Sequence, residues 1–140
     1  MKKPFMIFMV DDDEDDCLLV KEALAELGFL GKYQFIHDGA KLLPYLHQSN
    51  NGEPTHVLRP NVILLDSTMP KKGGIQTLRE IKSHPEFQDI PVVIYTASMD
   101  ERKKEQCLAA GAARWITKAS QFEETVKDIK SLLSAYDHTN

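Results

Sequence analysis

The chain has 140 residues, with 42% hydrophobic and 27% charged content, which is the profile of one ordinary globular domain with a proper core. Seventeen basic side chains face twenty-one acidic ones, a net charge of −4, yet six of the acids are packed into residues 11–16 and the rest of the chain is slightly basic. The acidity is therefore local; it excludes the broad basic surface of a nucleic-acid binder, and no apolar run is long enough for a secretory signal or a membrane span.

Apolar runs and helical patterns alternate five times. Residues 5–10 are a short continuous apolar run, as expected of a strand covered on both faces. Residues 14–27 carry Leu18, Leu19, Ala23, Leu24 and Leu27 at helical spacing, closed by Gly28. Residues 33–36 read as the second strand. Asp38-Gly39 opens a helix with Leu42, Leu43 and Leu46, in which Pro44 fits only the first turns. Residues 47–61 read as a polar loop with Asn50-Asn51-Gly52 and two prolines, and 61–65 as the third strand. A helix over 74–83, a strand over 91–95, a helix over 100–110 ended by Gly111, a strand over 114–117 and a helix over 121–135 complete the chain. Five βα units predict a parallel sheet with helices on both faces. Only 22 residues follow Lys118, so the expectation is a single domain over 1–140, with its core at about 5–135 and no output domain. The two cysteines, Cys17 and Cys107, lie in helical patterns without metal-ligand spacing. They read as reduced core thiols of a cytoplasmic protein, with a disulfide left open.

In such a sheet ligands bind outside the carboxyl ends of the strands, where strand order reverses. The first strand exits into Asp11 and Asp12, the third into Asp66, the fourth into Thr96-Ala97 and the fifth into Lys118. Three carboxylates brought to one edge repel one another and raise their own pKa values. A hard cation bound through oxygens relieves that strain, and Mg²⁺ suits a site with few protein ligands.

With these residues the chain resembles the receiver domain of two-component response regulators, the CheY-like superfamily, over residues 5–135. The resemblance rests on Val10-Asp11-Asp12, on Leu65-Asp66-Ser67-Thr68-Met69-Pro70 followed by Gly74, on Tyr95-Thr96-Ala97, on Ala110-Gly111-Ala112, and on Ile116-Thr117-Lys118. It implies a flavodoxin-like (βα)₅ fold with strand order 2-1-3-4-5. It also implies that Asp66 accepts a phosphoryl group from a histidine of a sensor kinase or phosphotransfer protein, in a Mg²⁺-dependent reaction. Asp12 and Asp66 would ligate the metal through side chains and Thr68 through its carbonyl, with Asp11 helping to hold it. Thr96, beside Ala97, would bond a phosphoryl oxygen after transfer. Lys118 would pair with Asp66 at rest and with the phosphoryl group afterwards. Trp115 matches the aromatic position that moves with Thr96, and it reads equally as core. A downstream protein partner is implied, and a homodimer is open.

Two features depart from the family pattern. Ala119 follows Lys118 where proline is usual. Ser67-Thr68 replaces a commoner apolar-Asn or apolar-Asp pair, and the small Thr68 side chain, with Ser98 two residues after Thr96, bears on how readily water reaches the acyl phosphate. The 47–61 loop and the Met-Pro-Lys-Lys-Gly-Gly run are similar to single-domain regulators paired with phytochrome-type kinases.

Plainer readings compete at each position. Asp13 to Asp16 suit the positive N-terminal end of the first helix. The block imitates a calcium loop, but Asp16 stands where glycine is required and Leu18-Leu19-Val20 reads as helix. Thr96 alone reads equally as a turn residue, and Lys118 alone as a solvated strand end. Two other function classes remain as rivals. One is a haloacid-dehalogenase-type phosphatase with Asp11 as nucleophile and Asp13 as acid, although it lacks a cap insertion. The other is a binding module that has lost its switch.

Overall fold

The computed structural model describes residues 4–50, 59–69 and 72–137. Residues 51–58 of the expected loop and Pro70-Lys71 of the expected glycine-rich run lie outside them. The first half of the chain forms β1 Met6–Val10, α1 Glu14–Glu26, β2 Lys32–Ile36, α2 Leu42–Asn50 and β3 Val62–Leu65, with a 3₁₀ turn at Gly39–Lys41 leading into α2. The second half forms α3 Gly74–Ser83, β4 Val92–Thr96, α4 Glu101–Ala109, β5 Arg114–Thr117 and α5 Phe122–Tyr136. All strands pair in parallel in one sheet, ordered β2-β1-β3-β4-β5. This is the flavodoxin-like order that the resemblance implies.

The central strands β1, β3 and β4 are buried at every residue, which is why they read as unbroken apolar runs. The edge strands, KYQFI and RWIT, are mixed in sequence and partly exposed. Alternate side chains of the central strands feed two cores. Phe8, Val10, Ile63, Leu65 and Ile94 pack with Leu42, Leu46, Leu78, Ile81 and Cys107 from α2, α3 and α4. Ile7, Met9, Val62, Leu64, Val93 and Tyr95 pack with Cys17, Val20, Leu24, Ile129 and Leu132 from α1 and α5. Each fully buried side chain of this size contributes about 1.5–3 kcal/mol. Cys17 and Cys107 are buried and free, and they lie in different cores on opposite faces of the sheet. The sheet between them excludes the disulfide that sequence left open.

Several element ends differ from expectation by a residue, and two boundaries involve contacts distant in sequence. Helix α2 runs to Asn50, one turn into the expected loop. Its His47 ring stands edge-on to Phe87 at 5.2 Å, a contact no local pattern reveals. Strand β3 begins at Val62 and not at Asn61. Asn61 still extends the ladder, because its N–H donates to the Met6 carbonyl and its side-chain oxygen accepts from Met6 N–H, each at 2.8 Å.

Candidate functional site

The parallel register sets the site. Val10 is level with Leu65, Leu65 with Ile94, and Thr96 with Thr117. The ladder then continues one step beyond the strands. Asp11 N–H donates to Ile36 O at 2.9 Å, Asp66 N–H to Val10 O at 3.0 Å, and Lys118 N–H to Thr96 O at 2.7 Å. Backbone pairing therefore carries Asp11, Asp66, Thr96 and Lys118 to one edge, at the point where strand order reverses between β1 and β3. Helix α3 starts directly against the Asp66 peptide. A Cβ on Gly74 would lie 2.6 Å from both Asp66 O and Ser67 Cα, so this approach requires glycine.

Asp11, Asp12 and Asp66 each offer a carboxylate oxygen within 4.8 Å of the others. Asp11 is 1% exposed and Asp66 5%, while Asp12 is open to solvent. The Lys118 ammonium lies 2.6 Å from Asp16 Oδ2, 2.7 Å from Asp11 Oδ2 and 3.3 Å from Asp66 Oδ2. It does pair with Asp66, as expected, but it sits closer to the other two acids. The second Asp66 oxygen, Oδ1, accepts from both the N–H and the hydroxyl of Thr68, each at 3.0 Å.

These partners separate the two buried acids. Burial pushes the Asp11 carboxyl up from 3.8 to about 6, against the hydrogen bonds from Lys118 and Asp13 N–H. Burial also pushes Asp66 up, but the Lys118 charge and the hydrogen bonds from Thr68 and Thr96 outweigh it, and Asp66 lies below its ordinary value. Lys118 is held above its ordinary value: desolvation lowers it, and the bonds to Asp11 and Asp16 more than reverse that. Asp66 is thus the readily ionised member of the buried pair.

Thr96 is fully buried. Its Oγ1 accepts from the Ser67 hydroxyl at 3.0 Å and from Ser98 N–H at 3.3 Å. Ala97 is exposed and, with Asp12, Asp66, Thr68 and Lys118, lines a cleft of about 570 Å³. Trp115 does not line the cleft. It is half-buried against the α2–α4 core, and its Nε1–H donates to Thr117 Oγ1 at 3.3 Å.

The acid block divides by job. Asp13 caps α1, its side chain accepting from Asp15 N–H at 2.9 Å and Asp16 N–H at 3.2 Å. That matches the helix-start reading and occupies the acid that a phosphatase would need. Helix α1 begins at Glu14, which removes the calcium loop. Asp16 also lies in that first turn, as the helix-start reading has it, and its carboxylate in addition grips Lys118. Ser67 and Asp16 are the site contacts that sequence reasoning missed. The five-residue step from Asp11 to Asp16, with Asp13 free to cap, was the available signal.

The residues fit a hard divalent cation. Three carboxylates converge, two of them buried, and burial pushes one of those two, Asp11, above its ordinary value. Asp11, Asp12 and Asp66 are the side chains positioned to hold it.

A family model for the response regulator receiver domain matches residues 7–130. The chain belongs to this family. It is 32% identical over 136 residues to response regulator Rcp1 of Synechocystis sp., a match covering 97% of this chain and 91% of that protein. It is 31% identical over 130 residues to the probable methanogenesis regulatory protein FilR2 of Methanothrix harundinacea, covering 91% of this chain and 82% of that protein. Among solved structures, this receiver is similar to the phosphorylated cyanobacterial phytochrome response regulator RcpA, with a TM-score of 0.85, 32% identity and coverage of 99% and 97% of the two chains. The Mn²⁺-bound form of Rcp1 gives a TM-score of 0.83 at 31% identity, covering 98% and 97%. Membership makes the receiver a two-component signalling domain and implies a kinase partner. No helix among the described residues is long and apolar enough to cross a membrane.

Proposed function

We propose that the chain is a stand-alone receiver in which Asp66 takes a phosphoryl group from a phosphohistidine of a sensor kinase or phosphotransfer protein. The reaction is Mg²⁺-dependent, and it changes the affinity of the receiver for a downstream protein. One observation carries the reading: of the two buried acids that share Lys118, Asp66 is the one that opens on the cleft, with its carboxylate oriented by Thr68. An Asp66 oxygen forms a bond to phosphorus as the phosphorus–nitrogen bond of the donor imidazole breaks. The bonding pair stays on the imidazole nitrogen, and Asp66 becomes an acyl phosphate.

Such a transfer needs alignment and charge neutralisation more than covalent help. Lys118 places a fixed positive charge 3.3 Å from Asp66. Asp11, Asp12 and Asp66, with the Thr68 carbonyl, would hold Mg²⁺, which when bound would neutralise charge on the phosphoryl oxygens. The Thr68 N–H and hydroxyl fix Asp66 Oδ1 and so orient the carboxylate. After transfer the Thr96 hydroxyl turns to the phosphoryl group beside Ala97. Thr117 pairs with Thr96, so the movement reaches β5 and Trp115.

Incubation with Mg²⁺ and acetyl phosphate, followed by intact-mass analysis, tests the reading. The wild type gains one phosphoryl group, while Asp66→Asn and wild type in excess chelator gain none. An unmodified wild type, or an adduct that survives Asp66→Asn, overturns it.

A further inference from the structure

We propose that Asp16 is a positioning residue: it holds the Lys118 ammonium beside Asp66 while keeping it from closing on Asp66. The inference rests on the phosphoacceptor reading of Asp66 and adds a residue to it.

Lys118 has three N–H donors, and each meets a different carboxylate. The shortest bond, 2.6 Å, goes to Asp16, and the longest, 3.3 Å, to Asp66. Asp16 is free for this task because Asp13 does the capping. Asp13 accepts from Asp16 N–H, which fixes the Asp16 backbone and leaves its side chain to reach Lys118. Asp16 also lies outside the cluster of Asp11, Asp12 and Asp66 that suits a cation. A cation held by that cluster would share the charge of Asp11 and Asp66, whereas Asp16 would keep its charge for Lys118 alone.

The residue after Lys118 explains why an anchor is needed. Ala119 does not lock the backbone as proline would. Position is instead fixed by the Lys118 N–H bond to Thr96 O, by the Tyr95 ring 5.8 Å from the ammonium, and by Asp16. The result matters for chemistry. An ammonium closed tightly on Asp66 would hold the attacking oxygen firmly, whereas the longer 3.3 Å bond holds it more loosely and keeps the ammonium where phosphoryl oxygens arrive.

The test compares phosphorylation rates with acetyl phosphate at saturating Mg²⁺. Asp16→Asn is expected to be about tenfold slower than wild type, Asp16→Glu to return within about threefold, and Asp15→Asn to stay within about twofold. Asp15 lines the same cleft and undergoes the same charge change, so it controls for field effects. In a Lys118→Met background, Asp16→Asn is expected to cause no further loss. The proposal is overturned if Asp16→Asn matches wild type, if Asp15→Asn slows equally, or if Asp16→Asn costs the same factor without Lys118. A second readout needs no phosphate. The Lys118 ammonium should give a slowly exchanging ¹⁵N–¹H signal that Asp16→Asn abolishes and Asp15→Asn keeps; its persistence in Asp16→Asn overturns the hold. A wild type that takes up no phosphate sinks the Asp66 reading instead, and this signal distinguishes the two failures.

Discussion

Ser67 and Thr96 are joined by a 3.0 Å hydroxyl–hydroxyl hydrogen bond buried between the ends of β3 and β4. It ties the residue after Asp66 to the residue proposed to respond to phosphorylation. A buried bond between neutral groups contributes about 0.5–1.5 kcal/mol. Ser67→Ala and Thr96→Val should therefore be non-additive in urea denaturation, with a coupling of about 1 kcal/mol. Additive losses would show that the bond contributes nothing.

Gly74→Ala should disturb Asp66 without touching its side chain. The added Cβ meets backbone, Asp66 O and Ser67 Cα at 2.6 Å, and backbone cannot swing aside. The expected cost is about 1–3 kcal/mol, together with slower phosphoryl uptake. Gly73→Ala is the control, because a Cβ there meets nothing within 4 Å and its φ of −64° suits any residue. Chemical denaturation and the uptake rate check both variants.

The cation-free protein should lose stability as pH rises from about 4 to about 6. Asp11 titrates near 6 when folded and near its ordinary 3.8 when unfolded, so in that window the native state binds more protons and stability falls with rising pH. The contribution is at most about 3 kcal/mol. Asp128, raised by burial and then by Glu124, has the same sign. Asp66 is lowered; its stabilisation is present above 3.8 and is lost only below that value. Lys118 is raised, so its contribution is present below 10.5 and is lost above it. Melting temperatures across pH 4–7 with chelator measure the slope. Mg²⁺ at pH 7 should restore stability, and Asp11→Asn should raise the melting temperature of the cation-free protein.

Much of the fold was legible because its signals are local. Unbroken apolar runs marked β1, β3 and β4, and helical spacing matched α3 residue for residue. The exits of those strands and of β5 named Asp11, Asp66, Thr96 and Lys118. What stayed hidden depends on distant partners. The grip of Asp16 on Lys118 spans 102 positions, and the Ser67 bond to Thr96 spans 29. The last turn of α2 leans on Phe87, from beyond α3. Trp115 was ambiguous for the same reason: whether it packs or stands at the surface is decided by the parity of β5, and it lies half-buried against the α2–α4 core.

Both thiols should resist modification in the folded state. Burial, then the Asp11 charge, pushes the Cys17 thiol up to about 12, and burial raises Cys107. A thiol reagent at pH 8 should label neither cysteine in native protein and both in denaturant. Fast native labelling of Cys17 would show that the face covered by α1 opens readily.

The central claim is that Asp66, and no other acid of the cluster, carries the phosphoryl group. Borohydride reduces an aspartyl phosphate to homoserine, so phosphorylated protein can be reduced, digested and sequenced by tandem mass spectrometry. Homoserine at position 66 alone is the predicted result. Homoserine at 11 or 12, or at no position in a protein that has taken up phosphate, would contradict it.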